Sequence, residues 1–567
     1  MPPPATGCRP SDVGARMPGT PGAPGATTPT RCITAGRWPA GWHAGKPTAR
    51  TIRMKCRKSR HFTPVVPFLS PAGALAMFLE QNARHLGIST IKDHARGGAM
   101  KPRPPQQRRK TAVIAIIVAA VALAVVGIGL TWGFLLPGGS PRPALKATEL
   151  TRANSGGAPA VDDSHDDQGA RALAGLGIRL LQQEDAVQAA DNALVSPISI
   201  ASALGMTANG AEDATKEQME SVLGIETDAL NEYLVALRLD SPSEPEREGD
   251  PALRLSNSIW LRDTPELSVE QSFLDAASTW YAASVFCAPF DSSTAHDINE
   301  WVGYETDGMI DRLLEEDKPL PEDAMLYLIN ALAFEGAWQD PYSDAFVETA
   351  PFTCEDGSQQ RVDLMYSYED TYLEADLANG TVVTDGQASA AIPDASRITG
   401  FMKRYRGGTY AFAALLPPEG TTVADTVSRL SGEVLASMLE QPWSTPVDAY
   451  LPAFSYDYST DLAESLKALG MTDAFDQYVA DFSGMTESMP LHISKVLHKT
   501  HIDVDRKGTR AAAVTSVQME AGASAPGEPV EPKTVRLDRP FIYLIVDTRT
   551  NTPLFIGTYL HGDEGAA

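Results

Sequence analysis

His492, His498 and His501 stand close together, and Ser524 follows within Gly522-Ala523-Ser524-Ala525-Pro526. These are the residues nearest to a hydrolytic centre, and they do not make one. Gly-x-Ser here lacks the closing glycine of a nucleophile elbow, and no apolar strand leads into it. On a strand, His498 and His501 would face opposite sides. A structural histidine is the plainer reading of each. The chain has no H-E-x-x-H, P-loop, G-x-G-x-x-G or C-x-x-C pattern. The expectation is therefore of no enzyme, no metal site and no cofactor.

The chemistry on offer is that of a substrate. In Gly508-Thr509-Arg510-Ala511-Ala512-Ala513-Val514-Thr515, an extended backbone would put Thr509, Ala511, Ala513, Thr515 and Val517 on one face. That face is small or β-branched and could slide into a packed sheet. Arg510, Ala512, Val514 and Ser516 would face the other way. A long irregular run then leads to Pro540. An insertable strand that ends in an exposed, cleavable loop is a trap.

The elements that must hold such a segment lie within a divided chain of 567 residues, net charge −25. Residues 1–148 hold 21 Lys and Arg against 3 Asp and Glu, net +18; residues 149–567 hold 26 against 69, net −43. So acidic a domain repels nucleic acid, and no DNA or RNA partner is expected. Residues 1–99, rich in Pro, Gly and Arg, read as disordered or as an over-extended reading frame; Met100-Lys101-Pro102-Arg103 looks like a natural start. Residues 100–136 read as a basic flank and an anchor. Residues 111–136 carry no charged side chain, and Arg108, Arg109 and Lys110 precede them. This orientation puts the acidic domain at the cell surface; cleavage of the segment as a signal would make it secreted. Residues 137–169 read as a flexible stalk. Only Cys287 and Cys354 lie in the domain, which gives no disulfide framework. The leader, the anchor and the lack of disulfides fit a bacterial source.

Order is expected from Gly169, where Leu173, Leu176, Leu180 and Leu181 recur at helical spacing. Ser196-Pro197 caps and opens a second helix. Thr215-Lys216-Glu217-Gln218 reads as a capping box, with Gly224 as the stop. Met325 to Phe334 is apolar on both faces, and Asn330 in its middle favours a position within a sheet. Phe541–Val546 and Leu554–Leu560 read as a hairpin. Helices lead and strands follow, so the class is α+β, with one domain over 170–562.

Ordered blocks across that domain resemble the serpin family. Asn192-Ala193-Leu194-Val195-Ser196-Pro197-Ile198-Ser199-Ile200 comes first, then Ile298-Asn299-Glu300-Trp301-Val302 and Asn330-Ala331-Leu332-Ala333-Phe334-Glu335-Gly336-Ala337-Trp338. Leu469-Gly470-Met471-Thr472-Asp473-Ala474-Phe475, Arg539-Pro540-Phe541 and Pro553-Leu554-Phe555-Ile556-Gly557 follow in family order. The resemblance implies three β-sheets, about nine helices and a metastable monomer with an exposed reactive-centre loop, here about 508–538. It implies a suicide substrate. A target serine protease cuts the loop, is held as a covalent acyl-enzyme, and is dragged away as the loop enters the central sheet. Gly508, Thr509, Ala511, Ala512, Ala513 and Thr515 match the inhibitory hinge pattern. By the same resemblance, Ser196, Ser199, Asn299 and His498 gate the sheet where its strands part. A non-inhibitory surface binding protein of the same fold is the alternative.

Two departures stand out. Arg506 replaces the family's usual glutamate at the base of the loop, and Ala453 replaces its usual lysine partner, which argues for a replaced contact. The loop is also long, with 31 residues between Gly508 and Pro540. Family spacing puts the reactive bond near Gly522 and Ala523. Small residues there suit elastase-like or subtilisin-like proteases; cleavage at Met519 would invite chymotrypsin-like or elastase-like ones.

Overall fold

A computed structural model describes residues 142–151, 167–241, 247, 249–310, 312–316, 320–384, 392–509 and 530–562, all within the unit Thr51–Ala567. Its strands run in chain order β1 (Thr148–Thr151), β2 (Leu194–Val195), β3 (Ala252–Arg262), β4 (Ser284–Ala288), β5 (Leu326–Ala337), β6 (Val347–Thr353), β7 (Gln359–Asp376) and β8 (Thr381–Val382). There follow β9 (Arg397–Arg404), β10 (Tyr410–Leu416), β11 (Trp443–Pro452), β12 (Phe454–Asp461), β13 (Lys495–Val504), β14 (Gly508–Thr509), β15 (Lys533–Arg536), β16 (Phe541–Asp547) and β17 (Thr552–Tyr559).

The central sheet has seven strands, in the order β1-β4-β3-β5-β14-β13-β12. Its middle strand, β5, is the apolar run around Asn330. Alternation divides its side chains between two cores. Leu326, Leu328, Leu332 and Phe334 join the large core that includes the Pro197–Ala208 helix. Tyr327, Ile329 and Ala331 join a second core with Ile298, Trp301 and Val302 of the Ser292–Glu305 helix. Burial on both faces is why β5 shows no polar side, with only Asn330 within the apolar run and Glu335 near its end.

The other ten strands form one continuous ladder rather than the second and third sheets of the expectation. β7 joins them: over its 18 residues it pairs with β6, then β11, then β9. β10, β16 and β17 complete the buried hairpin region, and β15 lies parallel to β11.

The local signals hold at several points. The first long helix, Asp167–Gln183, buries Leu173, Leu176, Leu180 and Leu181. The Ser196 side chain accepts from the Ser199 amide and Pro197 fills the first turn. Gly224 ends its helix with φ 77°, a left-handed turn that glycine adopts freely.

Two expectations are corrected. Thr215 is not an N-cap: the Asp213–Leu223 helix begins at Glu212, which makes no side-chain cap. Thr215 Oγ1 instead accepts from the Asp481 amide at 3.0 Å, and Gln218 Oε1 accepts from the Thr472 and Asp473 amides, each at 2.9 Å. Nor is all of 137–169 a stalk. β1 is an edge strand of the central sheet, with Thr148 opposite Cys287 and Glu149 opposite Phe286. Arg142 pairs with Glu149 at 3.0 Å. The Lys146 and Ala147 amides both donate to Asp297 Oδ2 at 2.7 Å, and Asp297 is only 3% exposed. The expected leader and the apolar segment 111–136 lie outside the described residues. Among the described residues no helix is long and apolar enough to cross a membrane.

A buried carboxylate needs such donors, since an unmet buried charge is costly. Asp297→Ala is expected to strip the amides of Lys146 and Ala147 of their acceptor and to lower unfolding free energy by about 2 kcal/mol. A lowered urea midpoint with unchanged slope is the readout; an unchanged midpoint would show that this tether contributes nothing to stability.

Candidate functional site

β5 and β13 run parallel and are bonded to one another over only three pairs, Lys495–Tyr327, Val496–Leu328 and Leu497–Ile329. Beyond that point they part. Residues 330–335 of β5 and 498–503 of β13 share no ladder with each other among the described residues. At the far end the gap is bridged by β14, two residues long, with Gly508 opposite Ala337, and Thr509 opposite both Gly336 and Val504. A two-residue strand thus lies between the two central members of the sheet.

This entry is tightly built. A Cβ on Gly508 would lie 2.1 Å from the Gly336 carbonyl oxygen, so only glycine fits. Asp505 Oδ1 accepts from the amides of Lys507 at 2.6 Å and Gly508 at 3.0 Å, which turns the chain from β13 into β14. Thr509 is 3% exposed and bonds through Oγ1 to the Tyr405 hydroxyl at 2.6 Å. Tyr405 stacks on Trp338 with ring centroids 4.5 Å apart. Trp338 donates its amide to the Lys507 carbonyl at 2.8 Å and its Nε1 to the Asp505 carbonyl at 2.9 Å. Arg506 pairs with Asp344, which supplies the replaced contact; Ala453 instead donates its amide to the Asp363 carbonyl at 2.9 Å. Both Arg506 and Asp344 are well exposed, so this pair adds little stability.

Beneath the parting strands lies a connected set of buried polar groups. The Ser196 amide donates to His498 Nε2 at 3.2 Å, and Ser196 Oγ donates to the Leu554 carbonyl at 2.7 Å. Ser199 Oγ donates to Asn330 Oδ1, and Asn330 Nδ2 donates to Asn257 Oδ1. Asn257 Nδ2 continues to the Tyr281 carbonyl at 3.1 Å, and Thr500 Oγ1 reaches the Leu194 carbonyl at 2.9 Å. The set thus ties β3, β5 and β13 to the start of the Pro197–Ala208 helix. Because His498 Nε2 accepts, its ring proton sits on Nδ1. Burial pushes the His498 pKa down to about 4, against the opposing pull of a backbone hydrogen bond to Leu194.

The structure brings Ser196, Ser199 and His498 together but places Asn299 elsewhere. Asn299 lies on the Ser292–Glu305 helix, across the sheet. Its Oδ1 accepts from the amides of Leu313 and Leu314, each at 2.8 Å, and its Nδ2 donates to the Leu314 carbonyl at 2.8 Å. The asparagine of the polar set is Asn330, with Asn257 beside it. The signal for Asn330 was its lone polarity within an apolar strand; Asn257, Thr500 and Tyr405 carried none. Of the expected hinge, Gly508 and Thr509 are in place. Ala511, Ala512, Ala513, Thr515 and the expected bond at Gly522 and Ala523 lie outside the described residues. The other stem of the loop is β15, parallel to β11 with Arg536 opposite Tyr450. Cys287 and Cys354 are buried thiols. Among the described residues no three His, Cys, Asp or Glu side chains converge to hold a metal ion.

The family model described as "Serpin (serine protease inhibitor)" matches residues 171–561. An uncharacterized serpin-like protein of Methanosarcina mazei is 29% identical over 372 residues, 65% of this chain and 80% of that protein. Human neuroserpin is 26% identical over 395 residues, 69% of this chain and 91% of its own. The native-state structure of tengpin, a thermophilic serpin, superposes with a TM-score of 0.61 at 36% identity, over 74% of this chain and all of that one. The reading that the chain is not an enzyme is corrected in its ground: missing motifs do not carry it, whereas the matched family description is that of an inhibitor.

His498 makes the polar set pH-sensitive. Its ordinary pKa of 6.5 falls to about 4 on folding, so the unfolded chain takes up the proton first. Stability from this group is full above about pH 6.5 and is lost as pH falls toward 4, by up to about 3 kcal/mol. The urea midpoint is expected to drop between pH 7.5 and 5, and the drop to shrink in His498→Gln. An equal drop in both proteins would assign it to other groups.

Proposed function

This chain belongs to the serpin family, and on that premise we propose that it inhibits serine endopeptidases by sacrificing its own loop. The observation that carries this reading is β14, seated between β5 and β13 while those strands still part below it. Continued in the cleaved form, the register that sets Thr509 opposite Gly336 and Val504 brings Ala511 opposite Phe334 and Ile502. Ala513 would meet Leu332 and Thr500, and Thr515 would meet Asn330 and His498. Small side chains thus come opposite large ones, and the one hydroxyl comes to the polar set.

In the chemical step the protease serine oxygen bonds to the Gly522 carbonyl carbon. The Gly522–Ala523 bond breaks, and the Ala523 nitrogen leaves with the serine's proton. The resulting ester is held while residues 510–522 enter the sheet. Small residues on both sides of the bond support an elastase-like or subtilisin-like target. Completion of the open sheet supplies the driving force: it gives backbone groups of β5 and β13 new partners and buries the small face of the loop.

The same reading extends to placement. Residues 111–136 would anchor a monomeric inhibitor at the cell surface, in the manner of a bacterial signal-anchor protein. Arg142, the first described residue, stands six residues beyond Leu136, a reach of roughly 20 Å at full extension, so the domain would sit close to the bilayer.

Mixed with an elastase-like or subtilisin-like protease, the full chain is expected to give a covalent band on a denaturing gel. The mass of the released peptide should locate the bond between residues 519 and 523. Cleavage with no band, and with no gain in heat stability of the cut product, would instead favour a non-inhibitory binding protein. Ala513→Arg places a charge where this register would bring the side chain between Leu332 and Thr500. That variant should still be cut at the wild-type rate but lose at least about tenfold of the covalent band, because a buried unpaired charge opposes insertion.

A further inference from the structure

Both stems of the loop are pinned to one short stretch of chain. Arg506, at the N-terminal stem, pairs with Asp344. Arg536, at the C-terminal stem, pairs with Glu348 at 2.9 Å. Between those two carboxylates stands Phe346, a large apolar side chain 56% exposed. It is the end of an aromatic row rather than an isolated residue. Phe346 meets Tyr366 edge-on with centroids 5.7 Å apart, Tyr366 meets Tyr450 at 5.1 Å, and the Arg536 guanidinium lies 4.7 Å from the Tyr450 ring centre. Sheet register explains the row: Tyr366 is opposite Tyr450 on β7 and β11, and Tyr450 is opposite Arg536 on β11 and β15. Tyr368, two residues along the same face of β7, is 62% exposed.

The half-buried Tyr366 is held by its hydroxyl, which donates to Asp448 Oδ1 at 2.8 Å, while Phe346 and Tyr368 stand exposed on either side of it. Aromatic and arginine side chains in a fixed, desolvatable patch with a charged rim have the composition of an interface hot spot. Its position selects the occupant. The expected bond at Gly522 lies eleven residues from Lys533, within roughly 37 Å of β15 at full extension. A protease domain of a couple of hundred residues is roughly 40 Å across. An enzyme that closes on the loop therefore comes down over the ground between its stems.

We propose that the Phe346, Tyr366, Tyr368 and Tyr450 face is a second docking surface for the body of the target protease, used while that protease holds the loop. The inference rests on the inhibitory reading for the identity of its partner. Its selectivity is set outside the cleaved sequence: proteases with an apolar surface beside the active-site cleft are taken up faster than others that cut the same bond.

The test uses an elastase-like protease whose active-site serine is replaced by alanine, so that binding is measured without trapping. Three ligands are compared: the full chain, the full chain carrying Phe346→Ala and Tyr368→Ala, and a synthetic peptide of residues 512–530. Both substituted side chains are exposed, and an unchanged urea midpoint confirms an intact fold. The full chain is expected to bind at least about tenfold more tightly than the peptide, and the double variant to lose that advantage. Equal affinity of variant and wild type overturns the proposal, as does a wild-type chain that binds no better than the peptide. Trapping by the active enzyme is scored separately. Tight binding with no covalent band would count against the inhibitory reading and leave the docking surface standing.

Discussion

The parting of β5 from β13 is the constraint on which the rest of this molecule depends. Two parallel strands at the centre of a sheet are bonded over three pairs and then diverge around a two-residue wedge. Backbone groups inside a sheet are expected to find ladder partners, so such an arrangement stays open only where something else holds it. Here three devices do so. Trp338, Tyr405 and Asp505 fix the entry of β14. Ser196, Ser199, Asn330 and His498 tie the parted strands to the helix below. The Ser292–Glu305 helix covers the opposite face through Ile298, Trp301 and Val302.

These devices share a chemical character. The polar set is buried, connected and neutral, with His498 kept uncharged by desolvation. A buried network of this kind is stable only while every member is satisfied, and its Ser196–His498 and Ser199–Asn330 bonds tie the two parting strands to the start of one helix. The edge of the sheet is treated differently: β1 closes it, and Asp297 fastens the chain just before β1 to the covering helix.

Much of this was legible from residue order. The cap at Ser196 and the stop at Gly224 were local signals that held, and Gly508 and Thr509, where the expected segment begins, lie on a strand. The exchange of the usual base ion pair showed as two substitutions, Arg506 and Ala453, though only the fold revealed Asp344 as the new partner. Other features were out of reach. Thr215 and Gln218 have the spacing of a capping box, yet their side chains serve segments more than 250 residues away, at Asp481 and at Thr472 and Asp473. Asn299 and Asn330 are both buried asparagines, one on a helix and one within an apolar strand. Which of them meets Ser199 depends on which helix packs on which face of β5.

The sequence by itself therefore determined what the backbone decides within a few residues: strand alternation, helix caps and stops, and the freedom of glycine at Gly508. It also carried, in the order of its blocks, the family and the α+β class. Tertiary structure alone decided the partners. Thr148 lies opposite Cys287, Thr509 meets Tyr405, and Arg506 and Arg536, one from each stem of the loop, pair on either side of Phe346. Each of these contacts joins residues more than 100 positions apart. No local pattern specifies such a meeting, because it is set by how whole strands and helices exclude water together.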